Sequence, residues 1–468
     1  MTARRIGFWI GLAGFLVAVL TSPAAGMPPK AWLAAGLVWW MAVWWMTEAL
    51  PLYVTAMLPF VVLPLLGIAD VNKTASAYYS PVMFLILGGA FLALAIERTG
   101  LHRRLALAIL ARSGDRPWHV LLAVMTATAL MSMIVQNTTT ALIMMPLALG
   151  MLAAGGIEEG DTHGMAGALP IGIAFAANIG GLGTIVGTPT NAISAGIISE
   201  SMGRTIGFAE WSLYGLPLVA IGIPIACAIV ARVQRLDRDR FDPAATRIAI
   251  GQAGAWSQAE KRLAMLLVLA VAAWIALSFV QPLLPKGTID DGTVAVVAGI
   301  ALFLLPDGAG RPMLTWPEAN RAPWDVVLMF GGGLALAMGM GDSGLAAWIG
   351  EMLMPLSAVP LIVVALVVVT VTILITEFAS NIAVAAAIMP VIAALAVALG
   401  ADPILLALPA AIAATWGFML PSGTGPNAIA WASGHVALPR VLKAGFILDV
   451  AGIFLIVGVV WAIAAAAG

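Results

Sequence analysis

The chain has 468 residues, 62% hydrophobic and 10% charged, with a mean hydropathy of +1.04 and a net charge of −1. Soluble domains are nearer half apolar and a quarter charged, so this composition excludes an ordinary soluble domain, and the balanced charge argues against a nucleic-acid partner. The single cysteine, Cys227, rules out an intrachain disulfide and a Cys-based metal site, and His102, His119, His163 and His435 form no ligand spacing.

The chain opens with Arg4 and Arg5, an apolar run and then small residues, as a secretory leader does. Among so many segments of the same kind, it reads as an uncleaved first span. Further apolar segments follow, and we expect spans at 6–22, 31–49, 51–67, 81–98, 166–200, 211–231, 261–280, 291–305, 325–342, 404–433 and 445–466. A crossing helix takes about 20 apolar residues, and a transmembrane barrel would show short alternating segments instead. Segments 117–152 and 358–397 differ, because polar residues at their middles separate two apolar arms. Both are expected to be re-entrant helical hairpins, since non-helical backbone at membrane depth is tolerated only where protein or a watery cavity covers it.

With a cytoplasmic N-terminus, all of the 22 Lys and Arg residues except Lys30, Lys73, Arg204 and Lys286 fall on the inner side. The positive-inside rule supports this orientation. It gives eleven crossings, with the C-terminus on the periplasmic or outer side of a bacterial inner membrane. The charged run 98–116 is expected to be a solvated, headgroup-facing amphipathic linker, and 233–255 a cytoplasmic linker.

Three passages recur in order. LGGAFLALAIERTGL (87–101) resembles GGGLALAMGMGDSGL (331–345), QNTTTALIMMP (136–146) resembles SNIAVAAAIMP (380–390), and GTPTNAI (187–193) resembles GTGPNAI (423–429). Cations follow the first Gly-Gly helix (Arg98, Arg103, Arg104) and precede the second (Arg311, Arg321). The two copies therefore cross in opposite senses, the inverted repeat of secondary transporters. The hairpin tips at 136–140 and 380–382 are placed to meet near mid-membrane.

Each half thus has two polar breaks, a hairpin tip and a Gly/Pro-interrupted helix at 183–191 or 422–427. Freed carbonyls there suit a small hard cation, and helix N-termini suit an anion. A lone Asn or Thr in a membrane helix is usually interhelical glue worth about 0.6 kcal/mol. Asn137 with Asn381, and Asn191 with Asn427, instead recur at matched repeat positions. The NTT triplet at 137–139 matches a glycosylation acceptor, but a membrane-depth position makes the match accidental. Glu377 and Glu48 are intramembrane acids, functional candidates by default, and their places near helix ends leave local capping equally open.

WWMTEALPLYVTAMLPFVVLPLLGI (44–68), LMFGGGLALAMGMGDSGLA (328–346), TEFASNIAV (376–384) and FMLPSGTGPNAI (418–429) together resemble the signatures of the divalent anion/sodium symporters, from about residue 30 to the C-terminus. The resemblance implies an all-α polytopic elevator transporter and a homodimer in lipid. The scaffold would be roughly 1–116 and 256–345, the transport domain roughly 117–232 and 358–468. It also implies a first sodium site at Ser132, Gln136, Asn137 and the backbone of Gly187, and a second at Thr376, Asn381 and the backbone of Gly423. The substrate would meet Gln136, Asn137, Thr138, Thr188, Pro189, Ser380, Asn381 and Thr424. Two positions depart from the family's Ser-Asn-Thr tips: Gln136 replaces serine and Ile382 replaces threonine. The expected function is sodium-coupled symport of a C4-dicarboxylate such as succinate. The alternatives are a sodium-independent exchanger on the same fold and a sodium-coupled carrier of another small anion such as sulfate. An intramembrane enzyme is disfavoured, because no nucleophile, metal cluster or acid pair stands out at membrane depth.

Overall fold

The computed structural model describes residues 3–23, 26–112, 116–158, 160–236, 254–285 and 287–467. Arg238, Arg240, Arg247, Lys286 and most of the expected 233–255 linker lie outside the described residues. The described chain is helical apart from one isolated bridge between Pro306 and Pro312. Eight of its helices are long and apolar enough to cross a membrane. That number includes the arms Asn137–Ala154 and Asn381–Ala398, which end at a break rather than continuing across.

Both hairpins form as expected. Pro117–Ser132 and Asn137–Ala154 flank the first tip; Leu361–Thr376 and Asn381–Ala398 flank the second. Their tips share one backbone shape, with φ −47° and ψ 144° at Gln136 and φ −56° and ψ 131° at Ser380. The expected broken helices also form, as Met165–Gly181 with Pro189–Met202, and Pro403–Ala413 with Gly425–Ala432. The breaks are displaced from the expected windows. They occupy 182–188 and 414–424, so Asn191 and Asn427 stand inside the helices that follow.

The expected span 51–67 is interrupted. Leu52–Thr55 and Leu58–Leu65 are separate helices, because Pro59 has no N–H to offer the carbonyl of Thr55. They nonetheless run together along Trp324–Asp342. Ala56 abuts Gly332 and Leu63 abuts Gly339, where a side chain in place of either glycine would collide with its neighbour. Lys73 pairs with Asp342 at 2.6 Å beyond the far end.

The run 98–116 is only partly the solvated surface expected of it. Arg98 bonds Asp307 at 2.5 Å and the carbonyl of Met313, and Arg104 grips Glu260 at 2.8 Å while stacking on Trp256. Arg321 reaches Glu97 at 2.9 Å. These pairs tie the 81–110 region to 254–321, which sequence spacing alone cannot pair. The Ala309 N–H and then Arg98 hold the Asp307 carboxyl below its usual range. Burial acts to raise Glu318, yet Arg311 and Thr315 lower it to about 2. Stability from a carboxyl lowered this way is fully present above its ordinary pKa and disappears only as pH falls through the folded value, so this latch stays charged at neutral pH.

Candidate functional site

The four breaks converge on one cavity of about 420 Å³. Its wall includes Gln136, Asn137 and Thr138 from the first tip, Ser380, Asn381 and Ile382 from the second, and Thr188, Pro189, Gly423 and Thr424 from the broken helices. Contact between the halves is close. A Cβ at Gly425 would strike the Thr138 hydroxyl, so only glycine lets the second break reach the first tip.

Each tip is locked by the same arrangement. The Ser132 hydroxyl lies 2.9 Å from Asn137 Oδ1 and 2.7 Å from the carbonyl of Ala177. The Thr376 hydroxyl lies 2.7 Å from Asn381 Oδ1 and 2.7 Å from the carbonyl of Ala414. Ser132 and Thr376 are both fully buried. Around the first lock, the carbonyls of Ser132 and Gly181 crowd the space beside Gly187. Around the second, the carbonyls of Thr376, Glu377 and Leu420 surround Gly423. Hard oxygen donors gathered at a helix break are the chemistry of an alkali-cation site. Among the described residues no group of three or more His, Cys, Asp or Glu gathers to hold a metal, so any cation here would rest on neutral oxygens.

The downstream asparagines do a different job from the one the sequence implied. Asn191 Nδ2 donates to the carbonyls of Gly181 and Thr184, both at 2.8 Å. Asn427 Nδ2 donates to the carbonyl of Leu420 at 3.1 Å. Each amide staples its own break to the carbonyl seven residues earlier, which satisfies backbone the break would otherwise orphan.

Helix starts supply the anionic side of the chemistry. Asn137–Ala154, Asn381–Ala398, Pro189–Met202 and Gly425–Ala432 all begin at this cavity. Their first N–H groups have no intrahelical partner, and their dipoles are positive at this end. Among the described residues no Lys or Arg lines the cavity, whereas Glu48 and Asp325 both stand on its wall. Arg4 borders an adjoining recess with those two acids. Among the described residues the Glu48 side chain neither caps a helix start nor pairs with a cation, and its backbone closes Pro29–Thr47 in the left-handed conformation, φ 47°.

Gln136 faces both this cavity and a second recess of about 150 Å³ shared with Thr139, Pro189 and the Glu97–Arg321 pair. Its side chain makes none of the described hydrogen bonds. Ile382 presents an apolar side chain to the cavity where a hydroxyl would donate.

One contributor, Asn178, escaped sequence reasoning, and Glu377 has a role the sequence left open. Asn178, fully buried, donates from Nδ2 to the Thr424 hydroxyl at 3.0 Å and sits 3.5 Å from both Asn137 and Asn427. It joins the two halves from inside Met165–Gly181. Its signal was an Asn two residues before a Gly-Gly pair, set directly after the alanine whose carbonyl locks the tip. Glu377, fully buried, turns out to serve the neighbouring break. Its carboxylate accepts from the backbone N–H groups of Phe418 (2.5 Å), Met419 (2.9 Å) and Leu420 (2.9 Å). This decides the alternatives left open for Glu377 in favour of capping, though across the fold rather than locally.

A family profile described as citrate transporter matches residues 42–411. The sodium-dependent dicarboxylate transporter SdcS of Staphylococcus aureus strain MRSA252 is 36% identical over 476 residues, covering 98% of this chain and 91% of that protein. SdcS of strain NCTC 8325 is likewise 36% identical, over 474 residues. Among solved structures, the YdaH transporter of Alcanivorax borkumensis superposes with a TM-score of 0.55 at 14% identity, covering 99% of this chain and 97% of that one. At that identity the likeness concerns the fold.

Proposed function

The chain belongs to the citrate transporter family, and on that premise we propose that it is a sodium-coupled symporter of a divalent anion, a C4-dicarboxylate such as succinate. The observation that carries the reading is a cavity built for an anion from four helix starts and neutral polar groups, with no Lys or Arg on its wall among the described residues and two carboxylates in it. A doubly charged anion in such a site needs co-bound cations, because a buried charge without a partner is costly. The SdcS relatives are sodium-dependent dicarboxylate transporters by name, which supports both the cation and the substrate class.

Sodium one rests on Ser132, Gln136, Asn137 and the backbone at Gly187; sodium two on Thr376, Asn381 and the backbone at Gly423. The substrate carboxylates meet Gln136, Asn137, Thr138 and Thr188 with Pro189 on one side, and Ser380, Asn381 and Thr424 on the other. Residues 117–232 and 358–468 move as one transport domain against a scaffold of 1–116 and 256–345, within a homodimer in the membrane. The ion pairs Arg98–Asp307, Arg104–Glu260 and Lys73–Asp342 all join the two scaffold segments to each other, which supports the division.

In proteoliposomes, uptake of labelled succinate is expected to require an inward sodium gradient and to be competed by other dicarboxylates. Equal uptake in potassium would sink the coupling, and would favour exchange; competition by sulfate alone would replace the substrate. Gly181→Ala tests the first cation site. Its Cβ would collide with Asn137 Oδ1, displacing the amide from Ser132. The half-saturating sodium concentration should rise on the order of tenfold, for the loss of a contact worth about 1.4 kcal/mol. An unchanged sodium dependence would remove Asn137 from the site.

A further inference from the structure

The amide of Asn178 fits between the two halves in one orientation. Its Nδ2 lies 3.0 Å from the Thr424 hydroxyl and 3.5 Å from Asn427 Oδ1, and its Oδ1 lies 3.5 Å from Asn137 Nδ2. The Leu420 carbonyl can only accept, so Asn427 turns Nδ2 to it, at 3.1 Å, and leaves Oδ1 for Asn178. Asn178 must then present its own Nδ2 to that oxygen. Thr424 therefore meets a donor.

This orientation decides what the Thr424 hydroxyl can do. A hydroxyl accepts at two positions and donates at one. Thr424 Oγ1 accepts from Asn178 Nδ2 at 3.0 Å and from the Asn427 backbone N–H at 3.2 Å, which fills both. Among the described residues no hydrogen bond uses its proton. Thr424 stands on the cavity wall, so the O–H is left for whatever occupies the cavity. An ionised carboxylate, which only accepts, is the complement of that group.

The other half builds the same joint without an amide. Asn178 follows Ala177, whose carbonyl locks the first tip, and Thr415 follows Ala414, whose carbonyl locks the second. Thr415 is thus the counterpart of Asn178, as Thr188 is of Thr424. Thr415 is fully buried, and its hydroxyl has no hydrogen-bond partner among the described residues. The Thr188 hydroxyl donates instead to its neighbour Thr190 at 3.5 Å. Helix packing at this joint does not call for an amide, and the chain places one only where it reaches a hydroxyl of the cavity.

We propose that Asn178 is a positioning residue for the substrate, holding the Thr424 hydroxyl as a donor to a substrate carboxylate. The inference rests on the reading of this cavity as a dicarboxylate site. An O–H already committed to donation needs no reordering when the anion arrives, and preorganisation of that kind raises affinity. Accepting from Asn178 also polarises the hydroxyl and strengthens the bond it donates.

The test is a double-mutant cycle on Asn178→Ala and Thr424→Val, read as the half-saturating succinate concentration at saturating sodium, by thermal shift of the purified protein and by proteoliposome uptake. Thr424→Val should raise it about tenfold, the scale of one hydrogen bond to a charged group. Asn178→Ala should raise it about threefold, the scale of a strengthened and oriented donor. In the double variant the Asn178→Ala increment should disappear, because no hydroxyl remains to position. Asn178→Ser stays polar but is too short to reach Thr424, and should match Asn178→Ala. Thr424→Ser keeps the hydroxyl and should stay near wild type. An Asn178→Ala or Asn178→Ser protein with unchanged succinate dependence and only a lower unfolding temperature overturns the proposal and leaves a packing role. Independent effects that multiply in the double variant show that Asn178 does not act through Thr424, and also overturn it. A Thr424→Ser protein as impaired as Thr424→Val removes the hydroxyl from the argument. A wild-type protein that succinate neither stabilises nor enters through fails at the earlier step and takes the underlying reading with it.

Discussion

Replacing Asn381 with alanine is expected to abolish both sodium and dicarboxylate binding while leaving the protein folded. Asn381 opens the helix Asn381–Ala398 and is only half-buried. Its Oδ1 receives the Thr376 hydroxyl at 2.7 Å. Without it Thr376 keeps its second acceptor, the Ala414 carbonyl, so the tip retains one lock and no buried donor is stranded. The fold therefore loses little. The site loses an oxygen that we place on both sodium two and a substrate carboxylate. Bound ligand at a hundredfold excess over its dissociation constant stabilises a folded protein by about 2.7 kcal/mol, and this increment should vanish. Thermal shifts of the purified protein with succinate, in sodium and in potassium, measure it. Wild-type-like shifts in Asn381→Ala would take the residue out of the site.

Glu377→Ala is expected to have the largest effect on stability. The substitution strands three N–H donors in the 418–420 segment, that of Phe418 buried and those of Met419 and Leu420 partly buried. Each hydrogen bond to a charged acceptor contributes about 1.5–3 kcal/mol. With partial relaxation the loss should be about 3–6 kcal/mol, a large share of the roughly 5–15 kcal/mol by which proteins are stable at all. Glu377→Gln retains one acceptor oxygen and should fall between. Yield and unfolding temperature in sodium-free detergent should rank wild type above Gln above Ala. A Glu377→Ala protein within about 1 kcal/mol of wild type, the ordinary cost of a point substitution, would mean that water serves those amides and that the carboxylate is dispensable.

The sequence alone was enough for an all-helical membrane fold with two interrupted hairpins, because bilayer constraints are written into composition. Long apolar runs and the interrupted arms at 117–152 and 358–397 each follow from the cost of placing charge or unpaired backbone in hydrocarbon. Internal repetition then identified Asn137 and Asn381 as equivalent, and the structure gives both the same lock, to a serine or a threonine five residues earlier. Asn191 and Asn427 were also correctly matched to each other, but their task was not legible. An amide that coordinates a ligand and one that staples a break look the same in a string of letters.

Tertiary structure decided what passes between segments distant in sequence. Asn178 looked like one more residue in an apolar helix until folding set it beside Thr424 and Asn427. Glu377 was an acid near a turn until the 418–420 amides arrived 41 to 43 residues later in the chain. Hydropathy and helical period report how each segment meets lipid or its own backbone, and those are local properties. Which carboxylate faces which orphaned donor depends on helix rotation and close approach, and those are set by packing across the whole fold.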